Sequence, residues 1–114
     1  MIPKLRAYMS YYNKYSEIYG NKTAVFYQIG KFHEIYGVDN QHIKMGNVTE
    51  IASLLNIKET RCSGSVLENS EANPQMAGFN SVSIDEYVDK LVGYGYTVIV
   101  VNQVPGTNPI ERDL

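Results

Sequence analysis

Phe32 and Glu34 are the two side chains whose types and spacing most invite a chemical interpretation. They stand two positions apart, directly after Gly30-Lys31, a pair typical of a two-residue hairpin turn of type II′. Because side chains alternate along a strand, both would share one face, about 7 Å apart. If Ile35 points into the core, an apolar ring and a carboxylate project outward together beside the turn. The alternative is that a neighbouring loop buries Phe32 and that Glu34 is a solvated rim charge, and the sequence leaves both interpretations open.

Recognised signatures of nucleotide-binding and hydrolytic enzymes are absent from the chain. It contains no G-x-x-x-x-G-K-[ST] phosphate loop, no G-x-G-x-x-G fingerprint and no G-x-S-x-G elbow. His33 and His42 have no partner at metal-ligand spacing, and one cysteine, Cys62, excludes an internal disulfide. We therefore expect no catalytic residue and no metal site. A small enzyme that uses Cys62 with His33 is the weakest alternative, since a lone cysteine is usually a buried small hydrophobe.

The distribution of charge indicates which part of the chain would face a polyanion. The net charge of −2 argues against a strongly basic, nonspecific nucleic-acid binder. Residues 1–62 carry eight Lys or Arg and five Asp or Glu, whereas residues 63–114 carry two and seven. Any contact with a polyanion is therefore expected in the first half.

Composition and hydropathy favour a globular, intracellular protein. Hydrophobic residues make up 44% and charged residues 19%, which excludes a disordered tail or a coiled coil. No apolar run approaches the roughly 18 residues that a membrane helix needs. With a single cysteine, the chain is expected to be cytoplasmic and to have no membrane partner.

Hydrophobic periodicity predicts one domain of mixed α/β (α+β) class, with about five to six strands and about three helices. The helices are predicted at residues 4–19, 48–55 and 84–92, the last two after the capping-box sequences NVTE and SIDE. Strands are predicted at residues 23–29, 32–36, 57–62, 75–79 and 97–101. The last of these is a continuous apolar run, expected to be central, fully buried and part of a parallel crossover in a mixed sheet. Residues 63–74 and 105–114 are predicted to be irregular.

Several segments resemble, in order, the motifs that open the MutS mismatch-repair proteins. Residues 25–36, VFYQIGKFHEIY, are similar to the family's F-Y-x-x-G-D-F-Y-E-L-F. IASLLNI at 51–57 resembles A-S-x-L-L-D-I, and NPQMAGF at 73–79 resembles I-P-M-A-G-I/V. YVDKLV at 87–92 resembles Y-L-x-K-L-V, while VVNQ and ER near the end stand where the family has I-C-E-Q and V-E-R. The resemblance covers about residues 7–114.

The resemblance implies that residues 1–114 form the N-terminal mismatch-recognition domain of a MutS-like protein, a mixed sheet with flanking helices. It implies that Phe32 wedges into the duplex at the mispair from the minor groove and that Glu34 hydrogen-bonds the mispaired base. The further DNA-binding residues that we expect are Lys31, Arg61, Met76 and Gly78. The implied partner is double-stranded DNA with mismatches or small loops.

The resemblance also implies that this chain performs no catalysis and is an excised part of a longer, dimeric DNA repair ATPase. ATP and Mg would be bound by an ATPase domain elsewhere in that parent, whose remaining domains and second subunit are further expected partners. The alternative is a free-standing accessory domain of the same fold, which binds DNA weakly or acts as a protein-interaction module.

The sequence departs from the motif pattern at positions close to the hairpin and to the end of the chain. Lys31 replaces the usual Asp, which adds a cation beside the phosphates, and His33 replaces the middle Tyr. Asn102 replaces a Glu, and NSV at residues 80–82 stands where many members have Pro-Tyr-His. These departures predict a divergent branch of the family.

Overall fold

The computed structural model describes residues 1–63, 68–104 and 111–114. The helices among these residues are α1 (Pro3–Tyr19), α2 (Val48–Leu55) and α3 (Ile84–Gly93), and a 3-10 turn, Ser81–Ser83, leads into α3. The strands are β1 (Thr23–Ile29), β2 (Phe32–Asp39), β3 (Lys44–Met45), β4 (Thr60–Arg61), β5 (Gln75–Asn80), β6 (Thr97–Val104) and β7 (Glu111–Asp113). Within the described ranges, no helix combines the length and the apolar character required to cross a membrane.

The strands form one mixed sheet, in the order β4-β5-β2-β1-β6-β7, with β3 paired to the far end of β2. β1 and β6 run parallel, in a register that sets Tyr27 opposite Val101. β2 pairs antiparallel with both β1 and β5, so Glu34 lies between Tyr27 on one side and Gly78 on the other. The predicted mixed sheet with a parallel crossover is confirmed.

Helices cover both faces of the sheet but leave one end of β2 open. On the face covered by α1, Leu5 and Tyr8 are buried, and the Tyr8 hydroxyl donates to the backbone oxygen of Val25 over 3.1 Å. On the other face, α3 contacts α2, and its Tyr87 packs on Phe79 with ring centroids 4.5 Å apart. The middle of β2 is therefore buried from both sides, whereas its first residue is exposed.

The starts of α2 and α3 differ from the prediction in their hydrogen bonds. Among the described residues, neither Asn47 nor Ser83 makes a side-chain cap bond. Asn47 Nδ2 instead donates to the Tyr12 hydroxyl and to the Asn21 backbone oxygen, each over 2.9 Å. These acceptors belong to α1 and to the segment after it, so a tertiary contact replaces the predicted local cap.

The predictions for the strands near the ends of the sheet need correction. β6 is not fully buried: Val101 is buried and its other residues are half-buried, because the short β7 covers its outer edge only near residues 102–104. The strand predicted at 57–62 is shorter, Thr60–Arg61. β7 lies in a tail predicted to be irregular, and β3 was missed, since two or three residues are too few to show a hydrophobic alternation. Residues 64–67 and 105–110 of the segments predicted to be irregular lie outside the described residues.

Candidate nucleic-acid interface

Phe32 lies at the tip of the β1–β2 hairpin. It pairs with Ile29 across the turn, and Gly30 has a φ of +58°, which favours glycine and agrees with the predicted turn. The Phe32 side chain is 49% exposed. The interpretation in which a loop buries this ring is therefore wrong, and the ring projects from the end of the sheet beside the exposed Lys31.

Hydrogen bonds from neighbouring elements hold the hairpin tip in place. The Gly30 N–H donates to Gln103 Oε1 of β6 over 3.0 Å. The Ser81 N–H donates to the backbone oxygen of Lys31 over 2.8 Å. Gln28 joins the same strands, because its Nε2 donates to the Gly30 oxygen and its Oε1 accepts from the Gln103 N–H. An aromatic ring carried on a tip anchored in this way needs little further ordering when it binds a ligand.

An open groove of about 360 Å³ lies beside Phe32. Its lining residues come from β2, β4, β5 and the segment before β4: Phe32, Glu34, Lys58, Thr60, Met76, Ala77 and Gly78. The lining thus combines an exposed aromatic ring, a half-buried carboxylate and an exposed lysine. An aromatic ring beside a hydrogen-bonding group suits a flat ligand with polar edges, such as a nucleobase.

The position of the Glu34 side chain is defined by residues on both sides of it. The β2–β5 register sets Glu34 opposite Gly78. A Cβ atom on Gly78 would lie 3.0 Å from Glu34 Cγ and 3.0 Å from the His33 backbone oxygen, so a larger residue would displace the side chain. The Tyr36 hydroxyl donates a hydrogen bond to Glu34 Oε1. The absence of a side chain at residue 78 and the Tyr36 hydroxyl therefore keep the carboxylate in the groove.

On the opposite face of β2, the buried His33 bridges two neighbouring elements. Its Nδ1 lies 2.8 Å from Ser81 Oγ, and its Nε2 lies 2.9 Å from Asn102 Oδ1. Because an amide oxygen can only accept, Nε2 carries a proton, and in the neutral ring the Ser81 hydroxyl donates to Nδ1. Residues 33, 81 and 102 all depart from the motif pattern, and here they form one hydrogen-bonded chain at the base of the hairpin.

Replacing His33 with leucine should lower the free energy of unfolding by about 1–3 kcal/mol, because the two half-buried partners of the imidazole lose their hydrogen bonds to it. Urea denaturation followed by circular dichroism measures the change. His42→Leu is the matched control, since His42 is exposed and should change the free energy by less than about 0.5 kcal/mol. Equal effects of the two substitutions would show that the bridge contributes nothing to stability.

Most of the predicted DNA-binding residues come together at this groove. Phe32, Glu34, Met76 and Gly78 line it, and Lys31 lies on the adjoining turn. Sequence reasoning missed Lys58 and Thr60, which no quoted motif contains. No local sequence pattern indicated them, because Thr60 reaches the groove through its pairing with Met76 of β5.

Arg61 does not line the groove. Thr60 does, and alternation along β4 places Arg61 on the other face. Its Nη1 donates to Glu59 Oε2 over 3.1 Å, and Glu59 also accepts hydrogen bonds from Thr49 and Gln75. Although burial alone would raise the pKa of Glu59, these hydrogen bonds and the Arg61 charge lower it. A DNA contact by Arg61 stays a prediction.

Cys62 and His33 interact with different neighbours and do not form the nucleophilic pair of the small-enzyme alternative. The half-buried thiol of Cys62 interacts with the charges of Lys4 and Glu34, and burial raises its pKa. His33 is bonded to Ser81 and Asn102 on the other face. A raised pKa lowers the fraction of reactive thiolate. Within the described residues, no group of three or more His, Cys, Asp or Glu side chains is placed to hold a metal ion.

Two comparisons with known proteins find similarity over nearly the whole chain. The sequence model of the family described as MutS domain I matches residues 6–114. A DNA mismatch repair protein mutS homolog of Acanthamoeba polyphaga mimivirus is 36% identical over 107 residues. That alignment covers 93% of this chain but 9% of the relative, so the chain spans less than a tenth of the relative's length.

Proposed function

Since this chain belongs to the MutS domain I family, we propose that it is the mismatch-sensing domain of a MutS-like DNA repair protein. The observation that carries the proposal is the half-exposed Phe32, held on an anchored hairpin beside a groove that contains Glu34. Phe32 enters the duplex from the minor groove at the mispair and stacks on the mispaired base. Glu34 hydrogen-bonds that base.

The selectivity of such a wedge comes from the duplex rather than from base sequence. Separating stacked bases costs a few kcal/mol per step, and it costs least where pairing is already defective. An aromatic ring that must enter the stack therefore binds best at a deformable, mispaired step. Mismatches and small loops share this property, so both are proposed ligands.

The remaining groove residues position the duplex. Lys31 on the turn and Lys58 in the groove are exposed cations near the wedge and can contact phosphates, which orients the DNA without reading its sequence. Gly78 lets the strand that carries it approach Glu34 closely, and Met76 contributes apolar surface. Arg61 is the least supported contact, because it is paired with Glu59.

The complete natural protein is proposed to be a dimeric ATPase. ATP and Mg would be bound in it by residues outside this chain, whose own residues contribute binding rather than catalysis. The other domains and the second subunit would be partners of this domain.

Competition binding with the complete protein tests the proposed function. If unstacking costs about 1.4 kcal/mol less at a mispair, the affinity for the mismatched duplex should be about tenfold higher. A mismatched competitor should therefore displace labelled DNA at about one tenth, or less, of the concentration that its matched counterpart needs. Equal competition by the two duplexes would contradict mismatch sensing.

A second candidate function, a free-standing accessory module, is favoured by the net charge of −2. Under the mismatch-sensing proposal, the 114-residue chain alone should bind DNA more weakly than the roughly 10⁻⁴–10⁻⁶ M of nonspecific binders, because few cations are available to neutralise phosphates. Fluorescence anisotropy at physiological ionic strength measures this affinity. Submicromolar binding would contradict this expectation, because the chain would then bind DNA tightly without any further domain.

The gene distinguishes the two candidates independently of binding. A phosphate-loop motif encoded downstream of Leu114 supports a parent ATPase. A stop codon directly after Leu114 supports the accessory module.

A further inference from the structure

We propose that Tyr36 is a positioning residue for Glu34, because its hydroxyl holds one carboxylate oxygen and leaves the other for the DNA base. The inference rests on the proposed function, since it concerns the same groove. It adds a residue that does not itself line the groove and acts only through Glu34.

The geometry of β2 brings the two side chains together. Residues two apart on a strand share a face, and the Tyr36 hydroxyl donates to Glu34 Oε1. Tyr36 is fully buried, whereas Glu34 is half-buried and lines the groove. Within the described residues, Glu34 Oε2 has no hydrogen-bond partner, so it is the oxygen left to interact with a ligand.

The donor itself is held firmly by α1. The Tyr36 ring packs edge-on against Tyr8, with centroids 5.4 Å apart, and Lys4 Nζ lies 5.5 Å from its centroid. Burial raises the pKa of the Tyr36 hydroxyl, and the hydrogen bond and negative charge of Glu34 raise it further. The hydroxyl therefore keeps its proton and donates throughout the physiological pH range.

A fixed donor restricts the carboxylate more than the sheet alone does. Gly78 leaves the space in which the Glu34 side chain lies, but an open groove would let the carboxylate rotate. The bond to Oε1 removes that freedom before DNA arrives, so less ordering is needed on binding. The motif that the chain resembles has Phe at this position, and a phenylalanine has no hydroxyl to donate. At this position the chain therefore departs from the quoted motif by one hydroxyl group.

The test is Tyr36→Phe in the complete natural protein, with Kd measured for matched and mismatched duplexes. Loss of one oriented hydrogen bond should lower the ratio of the two constants about fivefold. The matched control is Tyr96→Phe, because the buried Tyr96 also donates its hydroxyl to a carboxylate, that of Glu50. Tyr96 directly precedes β6, whereas the hairpin tip contacts Gln103 near the other end of that strand. The control loses the same kind of bond and should leave the ratio unchanged.

A double substitution tests whether Tyr36 acts through Glu34 or through the structure in general. In a Glu34→Ala background, Tyr36→Phe should produce no further change in the ratio, because the carboxylate through which it acts is gone. An undiminished effect of Tyr36→Phe in that background would overturn the inference. The inference would also be wrong if Glu34→Ala lowers the ratio in the otherwise wild-type protein but Tyr36→Phe leaves the ratio unchanged.

Failure of the proposed function has a different signature. If the wild type binds both duplexes equally, or if Phe32→Ala keeps full discrimination, mismatch sensing by this groove is refuted, and the role of Tyr36 in it is refuted as well. If Phe32→Ala abolishes discrimination but Tyr36→Phe leaves the ratio unchanged, the proposed function stands and the Tyr36 inference alone is wrong.

Discussion

Phe32→Ala in the complete protein should abolish the preference for mismatched over matched duplex and leave weak, nonspecific binding. The substitution removes the ring that would enter the base stack, while the cations proposed to contact phosphates remain. Phe32 is already half-exposed at the hairpin tip, so its truncation leaves no buried cavity and should hardly affect stability. A competition gel shift with the two duplexes should give a ratio of affinities close to one.

Tyr19→Ala is the matched control for this substitution. Tyr19 is an aromatic residue of similar exposure, 52% against 49% for Phe32. It is the last residue of α1 and precedes β1, whereas the hairpin follows the other end of β1. Its loss should leave discrimination at the wild-type level. Undiminished discrimination by Phe32→Ala, or an equal loss with Tyr19→Ala, would refute the wedge.

Glu34→Gln should preserve or tighten binding to both duplexes and lower the ratio between them. The duplex phosphates repel an ionised carboxylate, which can only accept hydrogen bonds, whereas a neutral carboxyl can donate one to a base. Glutamine keeps the size of the side chain, always carries donors and has no charge. Kd values for matched and mismatched duplexes across a pH series measure both effects.

Glu50→Gln controls for the change in net charge. Glu50 also accepts a tyrosine hydroxyl, but it lies on α2, away from the groove. If both substitutions tighten binding equally, the effect is one of overall charge. If Glu34→Gln weakens binding to the mismatched duplex at every pH, then Glu34 acts as an ionised acceptor or does not reach the base, and the proposed mechanism is wrong.

The elements that were predicted well are those set by neighbours along the chain. The Gly30-Lys31 turn and the strands on either side of it follow from local conformational preferences, and the turn alone sets which residues pair across it. The apolar spacing of α1 likewise predicted a core face, and its Leu5 and Tyr8 are buried. Phe32 and Glu34 could be placed on one strand face, and the motif resemblance could give them roles, from the sequence alone.

The predictions that failed depended on groups distant in sequence. Asn47 matches a helix cap in type and spacing, but acceptors in and after α1 take its side chain. The apolar run of β6 suggested a central strand, yet its burial depends on which strand lies beside it, and that is the short β7. Thr60 reaches the groove through the pairing between β4 and β5, which no local pattern indicates, and Lys58 lines the groove from the segment before β4.

The sequence by itself determined that Phe32, Glu34 and Tyr36 share one face of a strand, because alternation is a property of the backbone. It could not determine which of them would be exposed, because exposure depends on what other elements cover. Tyr8 of α1 packs over Tyr36, and the end of the sheet beyond Glu34 is left uncovered at Phe32. Only the tertiary structure therefore decided that one face carries a buried donor, a half-buried carboxylate and an exposed ring in succession. It also joined residues 33, 81 and 102 under the hairpin, where the buried His33 ring exchanges hydrogen bonds with water for bonds to Ser81 and Asn102.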